Sequence, residues 1–146
     1  MSDHVPEPDD FICFSIYSAG HAFSRVYKPL LEKLGLTYPQ YLVLVALWAR
    51  DDQTVGSLGG VLFLESSTLT PLLKRLEKLG MVSRSRDAAD ERIVRVRLTQ
   101  KGAALRATAR DFPSCVDAAT KLAPDALRRL RTGIQSVRTA LLEAGD

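Results

Sequence analysis

The sequence predicts a mainly α-helical domain with one small β-hairpin, an α+β chain, on three observations. Leu69, Leu72, Leu73, Leu76 and Leu79 recur at the spacing of a single helix face. Shortly after, Val94, Val96 and Leu98 alternate with Arg95 and Arg97, the period of a strand with one buried and one basic face. With 146 residues, 46% of them hydrophobic and 25% charged, the chain has the size and make-up of one globular domain, 1–146.

The elements follow in order. Residues 1–8 carry Pro6 and Pro8 and are expected to form a loose tail. Asp9 and Asp10 are N-cap candidates for a helix through Phe11, Phe14 and Tyr17 to Val26, which Pro29 should bend or interrupt and Gly35 should end. Residues 39–50 (PQYLVLVALWAR) are too apolar all round for a surface helix and read as the central buried one. TVGSLGGVLFLE has Val55, Leu58 and Leu62 at helical spacing, although Gly56, Gly59 and Gly60 weaken it. The leucine helix comes next, stopped by Gly80; Pro71 is tolerated only near a helix start, which puts the cap at Ser67 or Thr68. DAADE is the tip of the hairpin. From Thr99 the chain is helical again, broken at Pro113 and at Ala123-Pro124, with a last amphipathic segment from Asp125 to Glu143.

The order helix, turn, helix, basic hairpin is that of a winged helix-turn-helix over residues 54–102. The charge supports binding to a polyanion. Nine bases (Lys74, Arg75, Lys78, Arg84, Arg86, Arg92, Arg95, Arg97, Lys101) meet five acids there, a net +4 in a chain whose total is +3. Opposite the leucines the second helix shows Ser67, Thr70, Pro71, Lys74 and Lys78, with Arg75 flanking and Ser66 and Thr68 at its start. Small polar side chains admit a helix to base edges, and lysines with a helix N-terminus attract phosphate. Arg84, Arg86 and Arg92 on the hairpin would reach the neighbouring backbone or minor groove of double-stranded DNA. Ordinary charge scatter on an amphipathic α+β domain is the bland alternative.

TLTPLLKRLEKLGMVSR followed by DERIVRVRLTQKG resembles the MarR family of bacterial regulators. The resemblance implies a homodimer whose N- and C-terminal helices, here 9–37 and 103–144, form the interface, and a palindromic operator. It also implies that Asp90 and Arg92 are the wing-tip pair, the arginine entering the minor groove and the aspartate holding the wing.

Cys13 falls in the first turn of the first helix, where orphan N–H groups favour a thiolate and the charges of Asp9 and Asp10 oppose it. Tyr17 lies one turn on, among Phe11, Phe14 and Phe23. Such a thiolate would attract apolar oxidants, giving a sulfenic acid that a second thiol can capture. A lone Cys among aromatics is more ordinarily a small buried hydrophobe. However, FICFSIYSAGHAFSRVYKPLLEKLGLTYPQYLVLVALW resembles the organic hydroperoxide resistance regulators, the OhrR branch of the MarR proteins. That resemblance implies that Cys13 senses organic hydroperoxide, that Tyr27 and Tyr38 hydrogen-bond it, and that Cys115 of the partner subunit closes a disulfide with it, releasing DNA from a repressor. A MarR-type repressor answering a non-oxidant ligand, or a thiol peroxidase, are the other readings.

His4 lies in the tail, His21 reads as solvated, and Trp48 as core. No metal cluster, nucleophile elbow or phosphate loop is present in the sequence, so neither a cofactor nor an enzyme is expected. No run of about 18 apolar residues predicts a membrane span, and MSDHVPEPDD lacks the order of a secretory signal, so a cytoplasmic protein is expected.

Overall fold

The computed structural model describes residues 4–145. The helices are α1 (Ile12–Glu32), α2 (Tyr38–Ala49), α3 (Val55–Leu62), α4 (Ser66–Lys78), α5 (Gln100–Ala109), α6 (Phe112–Ala119) and α7 (Pro124–Ala144). The strands are β1 (Gln53–Thr54), β2 (Val82–Arg86) and β3 (Val94–Leu98), in the antiparallel order β1-β3-β2. Two compact units are present, one ending at Arg110 and one beginning at Asp111.

The first unit is built around α2. Val43, Leu44 and Leu47 are fully buried there, as are Leu58 of α3, Leu69, Leu73 and Leu76 of α4, and Val96 of β3. The leucine stripe thus supplies the core, with Leu72 half-buried and Leu79 exposed at its edges. Trp48 is half-buried, donating from Nε1 to the Gly102 carbonyl at 2.9 Å and so tying α2 to α5. The second unit comprises α6, with Phe112 and Val116 buried one turn apart, and the long amphipathic α7.

Several helix boundaries differ from the sequence expectation. Asp9 and Asp10 do not cap α1; Pro8–Asp10 forms a 3-10 turn, and Phe11 is the N-cap. The reason is local competition, because Asp10 Oδ2 accepts the Glu7 N–H (2.8 Å) and the His4 ring (3.1 Å). Of the tail expected over residues 1–8, the first three lie outside the described residues. Pro29 does not interrupt α1, which runs on to Glu32. Gly35 then closes it at φ +66°, with Gly35 N–H bonded to Glu32 and Leu36 N–H to Leu31.

Pro71 likewise stands inside α4, whose cap is Glu65 rather than Ser67 or Thr68. The Thr68 and Leu69 N–H groups both bond the Glu65 carbonyl, so the helix starts early enough to bury Leu69. That packing outweighs the hydrogen bond that Pro71 cannot make. The break near Pro113 falls two residues earlier, leaving Pro113 in the first turn of α6, where its missing N–H costs nothing.

The glycines of α3 have a packing role that the sequence did not disclose. A Cβ on Gly59 would stand 2.7 Å from the Leu64 carbonyl oxygen and 3.9 Å from Leu69 Cδ2. The tight α3–α4 turn therefore needs that position bare, whereas Gly60 faces open space.

Candidate nucleic-acid interface and thiol site

On α4, Ser66, Ser67, Thr68, Pro71, Lys74, Arg75 and Lys78 are exposed and Thr70 is half-buried. Ser67, Pro71, Lys74 and Lys78 recur at three- and four-residue steps and so share the outer face, opposite Leu69, Leu73 and Leu76. The Glu65 side chain makes no capping hydrogen bond, so it does not occupy the N–H groups of the first turn.

The hairpin is laced by ion pairs that the sequence did not reveal. Arg84 is turned onto Glu77 of α4, its Nη2 at 3.0 Å from Oε1, while its backbone N–H donates to Oε2 at 3.0 Å. These bonds hold the Glu77 carboxyl below its usual range. Arg86 donates to the Glu91 carbonyl across the hairpin at 2.8 Å. Arg95 and Arg97, the basic face of the strand, both meet Asp52, at 2.8 and 3.2 Å. Asp87 also takes Arg95, at 3.0 Å. The hidden partner is the loop before β1, where Asp51 Oδ1 accepts the Leu98 N–H at 2.8 Å. Residues 51–53 carry no signal of their own in the sequence, and a two-residue strand shows no period.

At the tip, Asp90 accepts from Arg92 through both oxygens, at 3.1 Å from Nε and 3.0 Å from Nη2. The Arg92 side chain is nevertheless 90% exposed. The guanidinium bonds hold the Asp90 carboxyl below its ordinary range.

Cys13 is exposed and is the second residue of α1. Around it Phe11, Ile12, Ile16 and Tyr17 are exposed too. Tyr17, one turn on from Cys13, packs edge-on against His21 with ring centroids 4.5 Å apart. Tyr27 and Tyr38 form a cluster with Tyr41, ring centroids 4.8 Å apart for the first two and 5.9 Å for Tyr27 and Tyr41. Partial burial raises the Tyr38 phenol above its usual range, and like any tyrosine it is a hydroxyl donor at neutral pH. The cluster borders an open groove of about 660 Å³ with Lys28, Leu31, Leu36 and Gln40. Cys13 and Tyr27 are fourteen positions apart on one continuous helix, about 21 Å at the helical rise. One copy of the chain therefore does not bring Cys13 to the tyrosines. Cys115 is exposed on α6, in the second unit. Among the described residues no group of His, Cys, Asp or Glu is placed to hold a metal, and no helix is long and apolar enough to cross a membrane.

A buried two-helix motif with an exposed polar second helix, followed by an antiparallel hairpin, defines a winged-helix DNA-binding transcription regulator. The comparisons agree. Residues 25–107 match the family model described as transcriptional regulator SarA/Rot. The chain is 47% identical over 133 residues to the HTH-type transcriptional regulator TtmR of Methylorubrum extorquens, covering 91% of this chain and 68% of that one. It is 39% identical over 139 residues to the organic hydroperoxide resistance transcriptional regulator of Bacillus subtilis, covering 95% and 94%. Among solved structures, AbfR of Staphylococcus epidermidis in its reduced, DNA-bound form matches with a TM-score of 0.77 at 34% identity, covering 90% of this chain and 91% of that one. Its disulfide form matches with a TM-score of 0.66 at 37% identity, covering 90% of each. The chain belongs to the SarA/Rot family of MarR-type winged-helix regulators, and the hydroperoxide resistance regulator is its homologue.

Proposed function

We propose that the chain is a dimeric, redox-switched repressor that binds a palindromic operator when reduced and leaves it when organic hydroperoxide oxidises Cys13. The observation that carries the reading is the separation of Cys13 along α1 from Tyr27, against which Tyr38 of α2 packs, while the N-terminal apolar side chains of α1 are exposed. A second copy covering that helix would bury its apolar surface. It would also supply, from its own α1 and α2, the phenol donors that a Cys13 thiolate needs. AbfR, captured both reduced on DNA and as a disulfide, supports a thiol switch on this fold.

In the first step the Cys13 thiolate attacks one peroxide oxygen and the O–O bond breaks. The other oxygen takes a proton and leaves as the alcohol, while sulfur, oxidised by two electrons, becomes a sulfenic acid. The Cys115 thiol of the partner subunit then attacks that sulfur, forming the disulfide and releasing water. On DNA, the outer face of α4 lies in the major groove through Ser66, Ser67, Thr68, Thr70 and Pro71. Lys74, Arg75 and Lys78 meet phosphates, and Arg92 reaches the minor groove. The disulfide shifts the helices flanking each winged motif and with them the spacing of the two α4 copies.

The test is an operator titration of wild type, Cys13→Ser and Cys115→Ser, with and without cumene hydroperoxide. Wild type should release DNA on oxidation, and Cys13→Ser should stay bound. Wild-type binding that persists through peroxide sinks the sensor. In that case the groove beside Tyr27 and Tyr38 favours a ligand-responsive repressor instead, read as release by a small phenolic acid.

A further inference from the structure

Arg95 satisfies three acceptors at once. Its Nε donates to Asp52 Oδ1 at 2.8 Å, Nη2 to the Asp52 carbonyl at 2.9 Å, and Nη1 to Asp87 Oδ2 at 3.0 Å. Asp52 lies at φ +56°, a left-handed conformation that aspartate tolerates better than most residues. It stands directly before β1, whose Thr54 is the register partner of Arg95.

The other oxygen of Asp87 accepts the N–H groups of Ala89 (2.8 Å) and Asp90 (3.3 Å), and the Asp87 N–H donates to the Ile93 carbonyl at 2.8 Å. Asp90 in turn grips Arg92. An unbroken run of hydrogen bonds thus leads from the loop beneath the helix-turn-helix, through Arg95 and Asp87, to the wing tip. A planar guanidinium on fixed acceptors has one orientation, which a lysine or a neutral amide would not reproduce. The pairing β1 adds to the sheet covers only two residues. Buried Val82 and Val96, with Arg84 on Glu77, hold the base of the ribbon to the body, and the fork is the tie that reaches Asp87 at the foot of the tip.

We propose that Asp52 and Arg95 are the positioning pair of the wing, setting the place at which Arg92 meets DNA without touching DNA themselves. The inference rests on the reading of Arg92 as a DNA contact. Arg97, also on Asp52, supports the same anchor from the next outward position of β3.

The test is a double-mutant cycle read by fluorescence anisotropy, on a duplex selected from a random pool by the wild-type protein. Asp52→Asn keeps the side chain's size and its tolerance of positive φ while removing the charge. Arg92→Ala should weaken binding about tenfold, and Asp52→Asn or Arg95→Lys about fivefold. Combined with Arg92→Ala, either change should add nothing further, because the group being positioned is gone. Thermal melting should show each variant folded, with affinity for a random duplex close to wild type. Fully multiplied losses in the double variant, or wild-type affinity in Asp52→Asn or Arg95→Lys, overturn the inference while leaving the wing reading intact. Wild-type affinity in Arg92→Ala removes the reading on which it rests, and the inference with it.

Discussion

Asp90 closes on Arg92 from two residues away, accepting its backbone N–H at 3.1 Å and its guanidinium through both carboxylate oxygens, yet leaves that side chain almost wholly in solvent. An exposed arginine ordinarily samples many rotamers, and ordering it on binding opposes affinity. Here the ordering is largely done before DNA arrives. Asp90→Ala should therefore weaken operator binding by a few-fold through lost order, less than the tenfold or so for Arg92→Ala. Anisotropy titrations of the two variants at one salt concentration check the ranking. A larger loss for Asp90→Ala would mean that the carboxylate does more than hold its neighbour.

How far the sequence discloses this arrangement depends on the length of each signal. The α4 stripe from Leu69 to Leu79 and the alternation of β3 are each repeated often enough to specify a face. The pairing of Asp52 with Arg95 joins residues 43 positions apart, and β1 is two residues long, so neither leaves a local trace. Pro29 and Pro71 mislead for the opposite reason. Both carry strong local signals, and tertiary packing of Leu31 and Leu69 overrides them. The thiol site is legible only as residue types, because Cys13 and the tyrosines do not meet within one copy of the chain.

The glycines of α3 divide into one that packing requires and one that it does not. Gly59→Ala forces a methyl against the Leu64 carbonyl and should destabilise the fold by about 1–3 kcal/mol. Gly60→Ala meets nothing within 4 Å and should stabilise it by roughly 0.5–1 kcal/mol through the unfolded chain. Thermal melts should show opposite shifts of a few degrees. Equal losses from both changes would mean that α3 needs flexibility rather than space.

Wing order should depend on pH in a defined direction. Asp52 is held below its ordinary range chiefly by the Arg95 hydrogen bond, Asp87 by the Ala89 N–H and then Arg95, and Asp90 by Arg92. A carboxyl whose folded value lies below its unfolded one contributes stability in full above the unfolded value, near pH 4. That contribution is lost as pH falls through the lower, folded value. Amide-exchange protection of Ala89, Asp90 and Arg92, corrected for intrinsic rates, should therefore hold from pH 7 to about 5 and fall below about 4. A fall beginning near pH 6 would mean that these three carboxylates do not control the order of the wing.

Arg84 and Lys74 carry the same charge and should behave oppositely. Arg84 is folded back on Glu77, with a side chain 24% exposed, and so joins the middle of β2 to the end of α4. Lys74 is exposed on the outer face of α4, with its positive charge turned to the solvent a phosphate would displace. Lys74→Ala should lower affinity for all sequences and reduce the slope of log affinity against log salt by about 0.9, the value of one released phosphate contact. Arg84→Ala should leave that slope nearly unchanged and instead lower the melting temperature by a few degrees, since Glu77 and the β2 edge lose their tie. Glu77→Gln should reproduce most of that melting shift, because it weakens the same pair from the other side. If Arg84→Ala reduces the salt slope as much as Lys74→Ala does, the pair with Glu77 opens on DNA, and Arg84 belongs with the phosphate contacts.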